Sequence, residues 1–499
     1  MKFRFIFIAL FLIKFAASQS TFFVQTQATN IFNFPSDFLV KPDNHILFLN
    51  SSIDDNSNIY TNEIFEVSAE GEILNILTFT DTTSLYVTYT HILLVEDTLY
   101  VFGFGQKNLP GSIYPYFLML KLDLQLNVIN SSEIRIELPG AALNGFMHGK
   151  VKQSDSTFVY FSSCQVYNVI TCFYVEISRR GELITIGSDN ENTGQQIPYD
   201  FIQKPNKDGF VTFTFVNAMP GYVPGGFMYD YNNKLDVNSF SPLANNFYFY
   251  FNTLPIDDST FYLSGTWIES NPLGYPCRTG IMKMKIDGTV LDQKLFVPPL
   301  GTDTADNTAY RNALDYLPDG NLILCSNHNI VIQQFPQQRP SYLRLIKLTP
   351  DLDVLWERFI GDGDGKYDAF SMKATPDDEI IIFGAWSPSP PVNWHYTELL
   401  FVKTNGEGLF TNINDDIGIK SSEAIIYPNP ASNQVTVDFS LAYSLAGFQL
   451  SDMSGKTVYK TQLTANRQTI DISALPAGTY VYRIFNQKGL EETGKLVVE

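Results

Sequence analysis

The sequence has little positive charge, few cysteines and histidines, and little helical periodicity. It contains 33 Lys and Arg against 52 Asp and Glu, which gives a net charge of −19. Because contacts to phosphates need clustered Lys and Arg, this balance argues against a nucleic acid as partner. In contrast, 40 Phe and 27 Tyr are spread among polar residues, a composition typical of β-strands joined by polar loops.

Long apolar runs are also rare, and the clearest one lies at the start. Lys2 and Arg4 precede the uncharged run Phe5–Ile13, and small residues follow before Gln19. This order predicts a signal peptide over residues 1–18, cleaved after Ser18. The run is much shorter than the ~20 residues of a membrane span, and no later segment predicts one.

The four cysteines fit an oxidising compartment. Cys164 and Cys172 could join the two strands of one hairpin. Cys277 and Cys325 would then form a second pair or remain as free buried thiols. Spacing alone leaves this connectivity open, and no cysteine has the histidine neighbours of a zinc site.

A turn aspartate followed by an apolar strand recurs along most of the chain, at intervals of 50 to 61 residues. Each unit supplies four strands, which matches a β-propeller blade of the kelch size class. We therefore predict a seven-bladed β-propeller over residues 19–410, and two separate β-sandwiches are the alternative. The recurring residues are Asp43, Asp97, Asp155, Asp208, Asp258, Asp319 and Asp377.

The N-terminal strand Thr21–Gln27 precedes the first unit and has no unit of its own. We expect it to pair with the last blade, near Leu399–Phe410, because an open sheet edge invites aggregation. The polar, unpatterned residues 411–423 are predicted to be a linker.

The last segment, residues 424–499, predicts a small immunoglobulin-like β-sandwich after the linker. Val435, Val437 and Phe439 alternate with polar residues, the period-2 signature of a half-buried strand. Six or seven short strands joined by glycine turns suit such a sandwich. The expected fold class is all-β throughout. From the strands alone, a carbohydrate-binding or spacer role stays open.

This segment contains four motifs in order: Pro428-Asn429-Pro430, the turn Asp452–Lys456, Leu475–Ile484 and Gly494–Val498. Together they resemble the C-terminal type A sorting domain of type IX secretion cargo. The resemblance implies export across the outer membrane of a Gram-negative bacterium by the type IX translocon and its processing machinery. The protein would then be secreted or displayed on the cell surface, by way of the periplasm. The matching residues are Pro428, Asn429, Pro430, Gly455, Gly478, Tyr480 and Lys495.

The sharpest candidate for a metal site is the segment with Asp362, Asp364 and Asp368 around Gly365. Alternating aspartates with a turn glycine resemble calcium loops in other propeller families, and calcium is the only cofactor suggested. Ordinary turn chemistry explains the same residues. The bidentate acid that would complete a calcium loop is missing, since Ala369 and Phe370 follow.

No catalytic residue is predicted. The five histidines lie beside no serine or cysteine motif, and the chain has no Gly-x-Ser-x-Gly elbow. Trp394 and His395, after a proline-rich loop, are candidate ligand contacts at the surface. Trp267 and Trp386 close corresponding strands, where they would pack between blades or stack on a ligand.

These observations favour a non-catalytic surface or secreted protein that binds a glycan, a polymer or a protein. A secreted hydrolase or lyase acting on polysaccharide is the alternative, and a scaffold for another surface protein is a third. Carboxylates are plentiful, but a glycosidase mechanism depends on their separation in space, which the sequence does not supply.

Overall fold

The computed structural model describes the chain as short strands joined by turns. Within the described residues no helix occurs, and none could therefore cross a membrane. The described residues are 21–25, 31–54, 59–80, 84–109, 112–136, 141–142, 150–154, 156–166, 169–188, 196–205, 207–216, 224–232, 236–243, 247–268, 277–296, 304–331, 341–361, 365–388, 397–410, 419–420, 424–427, 431–439, 446–452, 456–463, 467–485 and 491–498.

Between Phe22 and Lys420 the described strands pair into seven antiparallel sheets that follow one another along the chain. Strand β1 is Phe22–Gln25. Sheets 1 to 3 contain β2 (Ile31–Val40), β3 (Ile46–Asp54), β4 (Ile59–Val67) and β5 (Ile73–Thr80); β6 (Ser84–Val95), β7 (Thr98–Leu109), β8 (Ser112–Leu122) and β9 (Val128–Arg135); and β10 (Ala141–Ala142), β11 (Lys150–Gln153), β12 (Thr157–Val166), β13 (Val169–Ser178) and β14 (Leu183–Ser188).

Sheets 4 to 7 continue the same pattern. They contain β15 (Gln196–Gln203), β16 (Gly209–Val216), β17 (Gly225–Asn232) and β18 (Val237–Pro242); β19 (Phe247–Pro255), β20 (Thr260–Ile268), β21 (Cys277–Lys285) and β22 (Val290–Leu295); β23 (Thr304–Thr308), β24 (Leu314–Tyr316), β25 (Leu322–Val331), β26 (Tyr342–Leu348) and β27 (Val354–Ile360); and β28 (Gly365–Ala374), β29 (Glu379–Pro388) and β30 (Glu398–Asn405).

The predicted repeat matches these sheets. Six of the seven turn aspartates lie between the first strands of a sheet and the strand that follows, and Asp155 lies outside the described residues. Asp43 Oδ1 accepts the backbone N–H of His45, and Asp319 Oδ1 accepts that of Asn321, at 3.2 and 2.9 Å. In sheet 5 the turn bond is made by Asp257 instead of Asp258. Asp43, Asp257 and Asp319 therefore shape the turns in which they lie.

Strand β1 precedes the strands of sheet 1 in the chain, but it pairs antiparallel with β30 of sheet 7. In this pairing Phe22 lies opposite Lys403. This is the pairing predicted for Thr21–Gln27. Phe22 is buried against the turn at Gly71, which has a positive φ of 94°. A Cβ on Gly71 would lie 2.6 Å from the Phe22 ring, so the close approach requires glycine there.

Each sheet contacts the next along the chain, and sheet 7 contacts sheet 1 through β2. Apolar clusters fill the interfaces between neighbouring sheets. Between sheets 1 and 7 the ring of Phe48 lies 4.6 Å from that of Phe401 and 5.1 Å from that of Phe383. The fold of these residues is therefore β-rich and propeller-like, since a single sheet cannot cover both of its own faces.

The C-terminal segment forms two further sheets around one apolar cluster that includes Val435, Phe448 and Leu496. The Tyr480 hydroxyl donates to the carbonyl of Pro476 at 2.7 Å. The strands of these two sheets are β32 (Ala424–Tyr427), β33 (Gln434–Phe439), β34 (Ala446–Asp452), β35 (Thr457–Leu463), β36 (Arg467–Asp471), β37 (Gly478–Phe485) and β38 (Glu491–Val498), and they follow β31 (Ile419–Lys420) in the chain. Strand β31, inside the predicted linker, pairs with β27 at the edge of sheet 6.

Of the two cysteine pairs considered, the second is not formed, because Cys277 and Cys325 are buried free thiols. Cys164 and Cys172 do lie on the two strands of one hairpin, β12 and β13. Their Cα partners are Thr171 and Ser163, so the cysteines are not opposite each other. This register argues against the bridge, because neighbouring positions on a strand alternate between its faces.

Candidate binding site on the leading strands

The first strands of each sheet, which contact the preceding sheet, are called the leading strands here: β2, β6, β11, β15, β19, β23 with β24, and β28. In six sheets the register of the leading strand shifts near its middle, as in a β-bulge. A bulge re-aims the side chain beside it. In each of these six sheets one such shift is followed by a polar, buried residue; these six residues, the bulge ring, are Asp37, His91, Asp200, Asn252, Asn307 and Ser371.

Asp37 of the bulge ring joins three successive sheets. Its carboxylate lies 3.2 Å from Lys373 Nζ of sheet 7 and accepts the backbone N–H of Ile92 in sheet 2 at 3.3 Å. Lys373 also donates to the carbonyl of Phe38 and lies over that ring at 5.0 Å. Burial by itself would raise the pKa of Asp37, but the charge of Lys373 and the backbone bonds hold it below its usual range.

Asp200 makes the same arrangement in sheet 4. Its carboxylate lies 2.9 Å from Lys152 Nζ of sheet 3 and accepts the Thr253 N–H of sheet 5 at 2.7 Å. Lys152 donates to the carbonyl of Phe201 and lies 5.0 Å over its ring. The pKa of Asp200 is likewise lowered by Lys152 against the effect of burial. We call each lysine–aspartate–backbone set a clasp.

His91, Lys150 and Arg311 lie on the leading strands or their connections and belong to neither clasp. Lys150 reaches from sheet 3 to sheet 6, where it donates to the Arg311 carbonyl at 2.7 Å and to Asn312 Oδ1 at 2.5 Å. Asn312 in turn donates to Asp37 of sheet 1 at 3.2 Å. Groups from distant sheets thus meet at one point.

Two atoms of this cluster are buried and make no hydrogen bond: Arg311 Nη1 and His91 Nε2. The other ring nitrogen of His91 lies 3.0 Å from Thr90 Oγ1. Burial, and then the charge of Arg311, hold the pKa of His91 well below its usual value, so the imidazole is neutral. Burial lowers the pKa of Lys150 to about 8. The cluster is therefore short of negative charge and of acceptors.

A second buried charge network lies within sheet 6. Asp306 is fully buried and accepts from His328 Nδ1 at 3.0 Å and from Arg344 at 3.1 Å, while Arg344 also pairs with Glu357 at 3.0 Å. The guanidinium lies between the rings of Phe296 and Phe359. Because each charge has a partner, this network is structural.

One group of possible metal ligands occurs in the described residues: Asp43, His45 and Glu66. The ammonium of Lys41 already lies 3.1 Å from Asp43 and 2.8 Å from Glu66. A cation therefore occupies the position that a metal ion would take, and the group needs no ion for charge balance.

Some of the predicted site residues lie within the described part of the structure, and others lie outside it. Asp368 lies in β28 with Lys366 at 2.5 Å, and the Tyr310 hydroxyl donates to it at 3.3 Å. In the C-terminal segment, Tyr480 is buried, Gly478 begins β37 and Lys495 lies in β38. Trp267 and Trp386 pack against apolar clusters, which is the first of the two arrangements considered for them. Outside the described residues lie Asp362, Asp364, Trp394, His395, Pro428, Asn429, Pro430, Gly455 and the predicted signal peptide.

Sequence reasoning missed the bulge ring and the cluster around Arg311. One signal was available: Asp37-Phe38 and Asp200-Phe201 repeat as an Asp-Phe pair in leading strands. The lysines that complete the clasps come from the preceding sheet, at a distance in sequence that no local pattern reveals.

The C-terminal segment matches a known family. Residues 425–499 match the family described as "Secretion system C-terminal sorting domain", the type IX sorting domain that the motifs resembled. This segment is therefore a type IX C-terminal sorting domain, and it indicates export to the cell surface or secretion. No curated protein matches the chain.

Solved structures are similar in fold only at a distance. The β-propeller domain of the Trilobed protease from Pyrococcus furiosus is 9% identical, with a TM-score of 0.39 over 78% of this chain and 98% of that one. Acylaminoacyl peptidase from Pyrococcus horikoshii is 11% identical, with a TM-score of 0.41 over 82% of this chain and 58% of that one. The GH32 beta-fructofuranosidase of Bombyx mori is 8% identical, with a TM-score of 0.29 over 78% and 94%. Scores this low transfer no activity.

Proposed function

We propose that this chain is a secreted or cell-surface protein in which a seven-bladed β-propeller binds a ligand without catalysis. Its C-terminal sorting domain, an immunoglobulin-like sandwich in this proposal, engages the type IX translocon and its processing machinery. The ligand is an extracellular glycan, polymer or protein.

The propeller is supported by the order of contacts. Seven sheets contact one another in chain order, sheet 7 contacts sheet 1, and β1 pairs with β30. Blades that stack in a ring put their leading strands around the axis. The hydrogen bonds that Lys150 and Asn312 make between sheets 3, 6 and 1 fit that position.

The absence of catalysis is supported by the state of the carboxylates on the leading strands. A glycosidase needs one carboxyl group that holds a proton and a second that is free to attack or to activate water. The buried carboxylates Asp37 and Asp200 are instead ionised and held by lysines and backbone N–H groups. This is the observation that carries the proposal. Burial raises the pKa of Asp315 on β24, but its two oxygens accept the backbone N–H groups of Tyr316 and Ala374.

The test is a pair of assays on the purified full chain without residues 1–18. We expect saturable binding on an array of bacterial and plant glycans, or capture of a surface protein from envelope extracts. We also expect no new reducing ends when the glycans are incubated with the protein. Release of reducing ends, abolished by Asp37→Asn or Asp200→Asn in a protein that still folds, would establish the hydrolase instead.

A further inference from the structure

The cluster of His91, Lys150 and Arg311 is not explained by the clasps that hold the sheets together. Each clasp balances one lysine with one aspartate, whereas Lys150 donates only to neutral oxygens and Arg311 Nη1 donates to none. A buried donor atom of a cationic group that lacks an acceptor costs free energy, which an oxygen atom of a ligand would offset. The cluster therefore offers an unsatisfied donor and unbalanced positive charge to a ligand.

The exposure and the charges around this cluster indicate which chemical group it could bind. His91 is buried, with only 3% of its surface exposed, while Arg311 and Lys150 remain partly exposed, so solvent reaches the cluster beside its buried atoms. Two acids act on the cluster, and both are already held: Asp37 by Lys373 and Asn312, and Asp200 by Lys152 and the Thr253 N–H. The remaining charge is positive, in a chain whose net charge is −19.

We propose that the cluster of Arg311, Lys150 and His91 is a binding site for an oxyanion, a carboxylate or a sulfate group carried by a small ligand. This deepens the proposed function and rests on it, since it names the chemistry of the group that the propeller would bind. No covalent step is involved.

The geometry of the groups suits such a ligand. A guanidinium offers a planar pair of donors that matches a carboxylate or sulfate, and Arg311 has a buried donor unused. Lys150, from sheet 3, adds a second positive charge. His91 Nε2 can donate to the anion in the tautomer that carries its proton there, or accept from a hydroxyl on the same ligand in the other tautomer.

The experiment titrates the purified full chain without residues 1–18 with sodium sulfate, sodium acetate and sodium glucuronate at pH 7. Sodium chloride keeps the ionic strength constant, and thermal stability and calorimetry give the affinity. Free ions and a sugar-borne carboxylate are thereby separated as ligands. We expect saturable 1:1 binding of at least one of them and a rise in melting temperature, because a ligand that binds only the folded state stabilises it.

The variants are Arg311→Gln and, as a matched control, Arg179→Gln, whose side chain pairs with Glu96 on the surface. Arg311→Gln should weaken the affinity at least tenfold, and Arg179→Gln should leave it unchanged. If Arg311→Gln does not fold, Arg311→Lys, which keeps the charge but not the planar donors, takes its place with a severalfold loss expected.

Three outcomes overturn the inference: no anion binds beyond the chloride control, the two arginine variants bind equally well, or binding has no fixed stoichiometry. These titrations do not depend on the glycan and enzyme assays. Reducing-end release together with anion binding would overturn the non-catalytic function and leave this site standing, and a negative titration with a positive array would remove the site alone.

Discussion

At the residue scale, the two clasps have the same arrangement of groups. Their aspartates, Asp37 and Asp200, are 163 residues apart in the sequence. In each, a lysine of the preceding sheet, a buried aspartate and a backbone N–H of the following sheet meet. A buried charge is stable only when paired and hydrogen-bonded, so each clasp fixes three sheets at once.

Removing the negative charge of one clasp should therefore destabilise the protein. We expect Asp200→Asn to lower the free energy of unfolding by about 3 kcal/mol, because it leaves Lys152 partly buried without its counter-charge. Urea unfolding measures this change. The control Asp292→Asn, on the exposed face of β22, should stay within about 0.5 kcal/mol of the parent.

The same comparison has a defined dependence on pH. The folded pKa of Asp200 is lowered, so its stabilising contribution is complete above the unfolded value near 4 and is lost as the pH falls through the folded value. The difference between parent and variant should be constant from pH 5 to 7 and shrink below about pH 4. A difference that grows on acidification would contradict the clasp.

Lys150 predicts how anion binding responds to alkaline pH. Burial lowers its pKa to about 8, so it loses its proton between about pH 7 and 9 and the site loses one positive charge. The sulfate affinity of the parent protein should fall severalfold over this pH range. The sulfate affinity of Lys150→Arg should change little over the same range, because arginine keeps its proton. The charged or titratable groups around Lys150 are Asp37, His91, Lys152, Asp200, Arg311 and Lys373.

Metal removal should have little effect. Asp368 is engaged by Lys366 and Tyr310, and the group of Asp43, His45 and Glu66 already holds the ammonium of Lys41. We expect the melting temperature in excess chelator to equal that in calcium. A chelator-induced decrease that disappears in Asp364→Ala would instead establish the calcium loop suggested by the sequence.

At the scale of elements, the first strand belongs to the last sheet. Four residues of β1 complete sheet 7, and Phe22 enters the apolar cluster between sheets 7 and 1. The outer strands differ from it, because several carry exposed apolar residues near their starts, such as Val128 and Ile129 in β9. Although β1 has only four residues, its Phe22 side chain is part of the buried interface between sheets 7 and 1.

We expect Phe22→Ala to cost about 3 kcal/mol of unfolding free energy, since the ring is buried and a cavity would remain. Gln25→Ala, at the exposed end of β1, is the matched control. Deleting residues 19–28 should in addition expose the edge of β30 and promote association, visible by light scattering. A deletion variant that stays monomeric with an unchanged unfolding midpoint would rule out this role of β1.

At the scale of the whole molecule, the sorting domain and the candidate binding site lie in different parts of the chain. The sorting domain has its own apolar core, built from its two sheets. The leading strands that carry the candidate site come from residues far upstream of it.

Deleting residues 427–499 should therefore stop export and leave the protein in the periplasm, with its anion affinity unchanged. Cell fractionation and the sulfate titration measure the two effects. A fusion of residues 424–499 to a foreign exported domain is the matching gain-of-function control. Normal secretion of the truncated chain would contradict the role of the sorting domain.

The sequence by itself determined the features that depend on local order. Turn aspartates, alternating strands and the ordered motifs of the last 75 residues are local patterns, because a turn or a strand is fixed by residues near one another. The repeat of turn aspartates and the pairing partner of the first strand followed from counting strands. The alternation around Val435 and Val437 gave the buried face of β33.

Only the tertiary structure decided which side chains meet. Lys373 and Asp37 are 336 residues apart and Lys150 and Asn312 are 162 apart, yet each pair is in contact. The bulge beside Asp37 depends on the register between β2 and β3, and this register cannot be read from the sequence. The same holds for Cys277 and Cys325, since whether two thiols can bond depends on the distance and direction between strands that belong to different sheets.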